Sequence, residues 1–304
     1  MLAANAKEIW NNLRGVICVY KPAGIKCNQI RKSIINAVCS GLDKLEVRPP
    51  GEYIQIEGDT TKELNIVKKV NLADDVLVVG PRYQFGDVSC SWSSYLGPNT
   101  SGVLLLGIND GTKAAKIIRE NRLARTYKVR GILGEATDTY FKDGKVVERS
   151  TFRFIKLSHI EKLLTSMQAA HQKKMFELCG VDNQSQAAYE LAIRGLIRPA
   201  SSKIPVLYGI KCVNFQSPQF TIEVQCINEY EMYLKTLIHD IGVQLHSTAY
   251  CSEIQCIRHG HFTIDDALLR KHWTLENIYT NMEEMNKKLL LHEDMLRQNS
   301  PILQ

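Results

Sequence analysis

The sequence predicts an α+β protein with a mixed, largely antiparallel central sheet flanked by helices. Short β-rich runs alternate with helical periodicities, and the regular strand-helix-strand spacing that builds parallel sheets is missing. With 44% apolar and 23% charged residues, the 304-residue chain can bury one large core or two small ones.

Taken in order, residues 1–14 carry Lys7, Glu8 and Arg14, with Leu2, Ile9, Trp10 and Leu13 at near-helical spacing. This pattern fits a weak targeting segment or a plain N-terminal helix. Gly15 to Tyr20 is a strand, stopped by Lys21-Pro22-Ala23-Gly24, where Pro22 removes a donor and biases Lys21 away from helix. Asn28 to Val38 is a helix with Ile30, Ile34 and Ile35 inward, and residues 40–80 form an irregular insertion or an edge hairpin. After the apolar run Val103 to Leu106, a helix is expected over Thr112 to Asn121 and a strand over Tyr127 to Ile132.

Val206 to Cys212 and Phe220 to Cys226 are strands separated by Gln216-Ser217-Pro218. Tyr230, Tyr233, Leu234, Leu237, Ile238 and Ile241 mark one face of a helix from Glu229 that Gly242 could end. Leu275, Ile278, Met282, Met285 and Leu289, after a Thr274 N-cap, make the stripe of a last helix. That stripe either packs on its own domain or docks on a protein partner.

Some functions are not expected. No stretch approaches the roughly 18 consecutive apolar residues of a membrane span. Gly107 to Lys113 lacks the Walker spacing, so nucleotide hydrolysis is unlooked for. The nine cysteines form no Cys-x-x-Cys pair and read as reduced, mostly buried thiols of an intracellular protein. His259 and His261 have no partner cluster, so neither a metal nor a cofactor is expected, and they read as structural or RNA-contacting.

Charge is concentrated. Lys113, Lys116, Arg119, Arg122, Arg125, Lys128 and Arg130 recur at intervals of three residues, then two, opposed between 111 and 130 only by Glu120. This window matches the +6 net charge of the whole chain. Such a stripe is either a solvated face or a surface that neutralises phosphates.

The motifs in series resemble those of the TruB pseudouridine synthases. They run from Gly15 and Tyr20-Lys21-Pro22-Ala23-Gly24 through Leu96-Gly97-Pro98-Asn99-Thr100-Ser101-Gly102-Val103-Leu104 and Gly111-Thr112-Lys113. Thr126 to Gly131, Leu133-Gly134 and Ala136 to Thr139 follow, then Ala188 to Gly195, where the arginine is one residue late. Ile222 to Cys226 leads to His239-Asp240-Ile241-Gly242, and Arg258-His259-Gly260-His261-Phe262 closes the series. The insertions and the ending Arg194 to Pro199 look most like the mitochondrial branch in animals. The resemblance implies a pseudouridine synthase domain over 15–270 and no PUA domain, and 271–304 is left to the C-terminal amphipathic helix read from its apolar stripe.

It also implies a chemistry. Uridine must leave the RNA stack before its glycosidic bond can be reached. In the family an aspartate carboxylate then attacks the sugar or the base, and the uracil is detached, rotated and rejoined through carbon 5. In the family pattern Leu-Asp-Pro-x-Ala-Thr-Gly that aspartate falls on Gly97. No intact catalytic residue is therefore expected, and Gly97 reads otherwise as a turn glycine before Pro98.

The family's arginine that pairs with the aspartate matches Lys235 after a two-residue insertion, and a lysine lacks the bidentate fork. Tyr127 matches the base-stacking tyrosine, or is an ordinary strand tyrosine. Lys21 joins Tyr127 and Lys235 as expected substrate-binding residues. Lys113, Lys116, Arg119, Arg122, Arg125, Lys128, Lys173 and Lys174 are the expected RNA-binding residues, although Gln172-Lys173-Lys174 also fits a solvated loop.

Two functions follow from the resemblance. One is an RNA-binding protein of the mitochondrial matrix with little or no uridine isomerisation. The other is an active synthase on mitochondrial mRNA, rRNA or tRNA that uses a displaced carboxylate, with Asp87 and Asp110 as candidates.

Overall fold

The computed structural model describes residues 5–45, 51–58, 65–193 and 204–296. Met1 to Ala4 and the motif ending Arg194 to Pro199 lie outside the described residues. Helix α1 (Ala6–Asn12) is capped by Asn5, whose side chain accepts from the Lys7 N–H at 2.9 Å. Strand β1 (Gly15–Lys21) ends at Pro22, and α2 (Cys27–Leu42) buries Ile30, Ile34 and Ile35 as expected. The 40–80 region holds a separate hairpin of β2 (Glu52–Glu57) and β3 (Asn65–Val70), then a short helix α3 (Val76–Val79).

Next come β4 (Cys90–Trp92), β5 (Thr100–Ile108), α4 (Gly111–Glu120) and β6 (Arg125–Leu133). A ribbon of β7 (Glu135–Thr137) and β8 (Val146–Arg149) leads to α5 (Leu157–Leu178) and α6 (Gln186–Ile193). The order continues through β9 (Val206–Gln216), β10 (Gln219–Ile227), α7 (Glu231–Gln244), β11 (Ala249–His259), β12 (Phe262–Thr263) and α8 (Leu275–Leu291).

Among the described residues the main sheet has eight strands, in the order β1-β5-β11-β6-β10-β9, with β4 on β5 and β12 on β11. Every named pair is antiparallel except β5 with β11, which run parallel through Thr100↔Ile254 to Gly102↔Cys256. All nine residues of β5 are buried, so both its faces are covered, which explains its unbroken apolar run. Gly102 is required there. Its φ is +113°, and a Cβ would run into the main chain of Cys256.

The outer edge of β1 is closed by α8. The Cys18 N–H donates to Asn281 Oδ1 at 2.9 Å and the Val16 N–H to Asn286 Oδ1 at 3.3 Å. The stripe Leu275, Ile278, Met282, Met285 and Leu289 is buried in the chain's own core, which decides between its two expected roles. Helix α7 passes Gly242 and ends two residues later. Gly242 is glycine because a Cβ would collide with Thr248 and Ala249, not because it ends the helix.

Helix α5 was not anticipated. Only Ile160 and Leu164 of its 22 residues are buried, so its periodicity is faint. Lys173 and Lys174 are exposed on it rather than in a loop. Seven of the nine cysteines are buried, and all are free thiols. Among the described residues no helix is long and apolar enough to cross a membrane.

Candidate functional site

The turn from Leu96 to Thr100 lies where β5 begins. It is pinned from the β1 side: the Gly24 N–H donates to the Pro98 carbonyl at 2.8 Å, and the Cys27 thiol donates to the Leu96 carbonyl at 3.2 Å. Lys21, fully buried, donates through Nζ to the carbonyls of Pro22, Pro98 and Thr100 at 3.2, 3.2 and 2.6 Å. Burial lowers the pKa of this ammonium. Lys21 therefore clamps the turn.

From the opposite side, α7 delivers its first residue, Glu231, onto the same turn. Glu231 Oε2 accepts from the N–H of Asn99 at 2.8 Å, the N–H of Thr100 at 3.0 Å and the Thr100 hydroxyl at 3.0 Å. Its Oε1 pairs with Lys235 Nζ at 2.9 Å, one helical turn on. Lys235 is buried and lies 4.6 Å from the centre of the Phe141 ring. A Cβ built on Gly97 would fall on Oε2, Cδ and Cβ of Glu231. The backbone at Gly97 is not left-handed, so space rather than conformational freedom accounts for the glycine.

Tyr127 sits on β6 opposite Cys256 of β11, with 2% of its surface exposed. Its hydroxyl donates to Glu229 Oε1 at 2.6 Å, and the Arg125 guanidinium pairs with the same carboxylate while lying 5.9 Å from the Tyr127 ring centre. Burial drives the phenol pKa well up and also raises the Glu229 carboxyl against the pull of Arg125. The ring is closed over in this arrangement.

A cavity of about 400 Å³ opens between the turn and the start of α7. Gly97, Glu229, Glu231, Ser93, Ser94 and His259 are among the residues that border it. Five buried polar atoms around it have no hydrogen-bond partner: Ser93 Oγ, Ser94 Oγ, Arg122 Nη1, Glu229 Oε2 and His259 Nδ1. Burial, with Arg125 nearby, pushes the His259 imidazole down to about 3, so it is neutral.

The basic stripe divides. Arg119, Arg122 and Arg125 line the cavity, whereas Lys113 and Lys116 stay exposed on α4, paired with Asp110 and Glu120. Lys128 and Arg130 point away from the core along β6, and Arg130 pairs with Glu253 at 3.0 Å. Lys173 and Lys174 lie on α5 and do not border the cavity. Asp110 also pairs with Arg14 at 3.0 Å, Asp87 accepts from the Gln84 N–H at 2.8 Å, and neither borders the cavity. His261 stacks on His292 at 3.8 Å, and among the described residues no group of three or more His, Cys, Asp or Glu could hold a metal ion.

Residues 88–232 match the TruB family pseudouridylate synthase (N terminal domain). The chain is 36% identical over 290 residues to the mitochondrial pseudouridylate synthase TRUB2 of Xenopus tropicalis, covering 93% of this chain and 89% of that protein. The chain belongs to the TruB family. It is also similar to TRUB2 of Homo sapiens, at 34% identity over 275 residues, 88% of this chain and 82% of that one. Among solved structures, the archaeal box H/ACA sRNP Nop10-Cbf5 complex aligns with 95% of this chain and 60% of that one, at a TM-score of 0.45 and 15% identity.

For a TruB chain the notable residue is one that the motifs did not single out. Glu231 lies five residues after the motif that ends at Cys226 and four before Lys235. A signal was present: glutamate four residues before lysine on a predicted helix is an ion-pair spacing.

Proposed function

We propose that this chain binds RNA of the mitochondrion and receives an extruded uridine in the cavity beside Gly97. The observation that carries this reading is a cavity of about 400 Å³ among whose lining residues Ser93, Ser94, Arg122, Glu229 and His259 each carry a buried polar atom without a hydrogen-bond partner. Buried polar groups without partners are costly in a folded protein, so their convergence favours a polar ligand. The two serines, Arg122 and the neutral His259 offer both donors and acceptors, as a base edge or a ribose requires. Arg119 at the rim supplies a cation for the flanking phosphates. The mitochondrial setting is supported by the relatives, which are named mitochondrial. Position 97 itself has no side chain to attack with, so the family's aspartate route is absent there.

Affinity for transcripts of mitochondrial tRNA and mRNA, measured against salt, tests this. A steep salt dependence is expected, with Arg119→Ala weakening binding and lowering the log-log slope by about 0.7–0.9 for its lost phosphate contact, and Arg122→Ala weakening binding. Unchanged affinity and slope in both variants would rule the cavity out as the RNA site.

A second reading, an active synthase, is favoured by one observation: the Glu231 carboxylate lies where the side chain of residue 97 would be.

A further inference from the structure

Three features surround the Gly97 turn. The built Cβ of residue 97 falls on the Glu231 carboxylate, so a side chain at 97 and glutamate at 231 exclude one another. The carboxylate is oriented at both ends: Oε2 by two turn N–H groups and the Thr100 hydroxyl, Oε1 by Lys235. Glu231 also borders the cavity that holds the unpartnered polar atoms.

We propose that Glu231 is the nucleophile of this chain: the carboxylate has moved from position 97 to position 231, and the protein isomerises uridine in RNA. This rests on the RNA-binding reading of the same cavity. Gly97 is then the space into which Glu231 reaches rather than a site that lost its chemistry. Lysine in place of arginine follows as well. The turn already holds Oε2, so only Oε1 needs a cation, and a point charge one helical turn away suffices without a bidentate fork.

Oε2 takes three donors and is saturated, while Oε1 takes one and keeps a lone pair, so Oε1 is the attacking atom. In the step proposed, Oε1 forms a bond to C1′ of the extruded uridine as the N1–C1′ bond breaks, and that electron pair leaves on the uracil anion. The uracil turns, C5 attacks C1′, and the carboxylate departs with the electrons of its C1′–O bond. The C5 proton is then lost and N1 gains one. The balance is an isomerisation, with no other reactant consumed. Covalent relay of this kind needs an oriented carboxylate at the reacting centre, which Glu231 supplies.

A structural role as a helix N-terminal carboxylate is the competing explanation. The two are separated in cells lacking the chain, re-supplied with wild type, Glu231→Gln, or the exchange Gly97→Asp with Glu231→Gly, with pseudouridine mapped across total RNA and RNA binding read by cross-linking. The exchange removes the Glu231 Cβ as well, which a side chain at 97 would otherwise strike. The expected result is that wild type restores specific pseudouridines, that Glu231→Gln loses them by roughly 10³-fold or more while still cross-linking to RNA, and that the exchange recovers them in part. Pseudouridines equal in wild type and Glu231→Gln would overturn the proposal, as would identical maps with and without the wild-type chain while RNA is still bound. Loss of RNA cross-linking by wild type overturns the binding reading itself.

Discussion

The Tyr127 hydroxyl donates to Glu229 at 2.6 Å, and the same carboxylate oxygen faces the Arg125 guanidinium, so two side chains of β6 share one buried acceptor. Glu229 is 2% exposed and Arg125 12% on their side chains, which makes this a desolvated pair. Removing one member of such a pair strands the other. Glu229→Ala is expected to cost about 3–5 kcal/mol, and Glu229→Ala with Arg125→Met to cost less than Glu229→Ala alone. Denaturant melts of the two variants check this. A double variant less stable than the single would show that the pair carries more than its own desolvation.

His259 gives the chain an acid limb. Its folded pKa is pushed down to about 3, below the ordinary imidazole value of about 6.5. Between these values the unfolded chain holds the extra proton, so stability falls as pH drops from about 6.5 toward 3, at up to ~1.4 kcal/mol per unit. His259→Gln is expected to flatten that limb in denaturant titrations run from pH 7 to 4. An unchanged slope would place the acid sensitivity in other groups.

Gly97 and Glu231 are predicted to be coupled. Gly97→Ala places a Cβ on the Glu231 side chain and is expected to cost about 1–3 kcal/mol, the usual range for overpacking. Combined with Glu231→Gly, the same alanine has room, so the two changes together are expected to cost less than their sum. A double-mutant cycle in denaturant measures this, and an additive result would mean that the two positions do not meet.

Much of the fold was legible because β5, β10, α2 and α8 each carry a clean period or an unbroken apolar run. Helix α5 was not, since a helix burying only Ile160 and Leu164 has almost no apolar stripe to find. The site was half legible. Gly97 could be placed by its motif, but the sequence alone made it a loss. What fills its space comes from another element, about 130 residues away, brought there by the packing of α7 against β11 and by the parallel pairing of β11 with β5. Long-range relations of this kind leave no local pattern, and the Glu231 to Lys235 spacing was their one trace.

Helix α8 should behave as core. Met282 and Ile278 are 2% and 0% exposed, so Met282→Ala or Ile278→Ala is expected to cost about 2–5 kcal/mol. Thermal melts of the isolated chain read this directly. A variant that melts like wild type would show that the stripe does not hold the helix to β1.

The most direct measurement is photocross-linking of the intact protein to RNA carrying 4-thiouridine, with the attached peptides identified by mass spectrometry. The thiouridine is expected to mark peptides bordering the cavity, spanning Ser93 to Pro98 and Asn228 to Glu231. Attachment confined to α5, or to the outward face of β6, would contradict it.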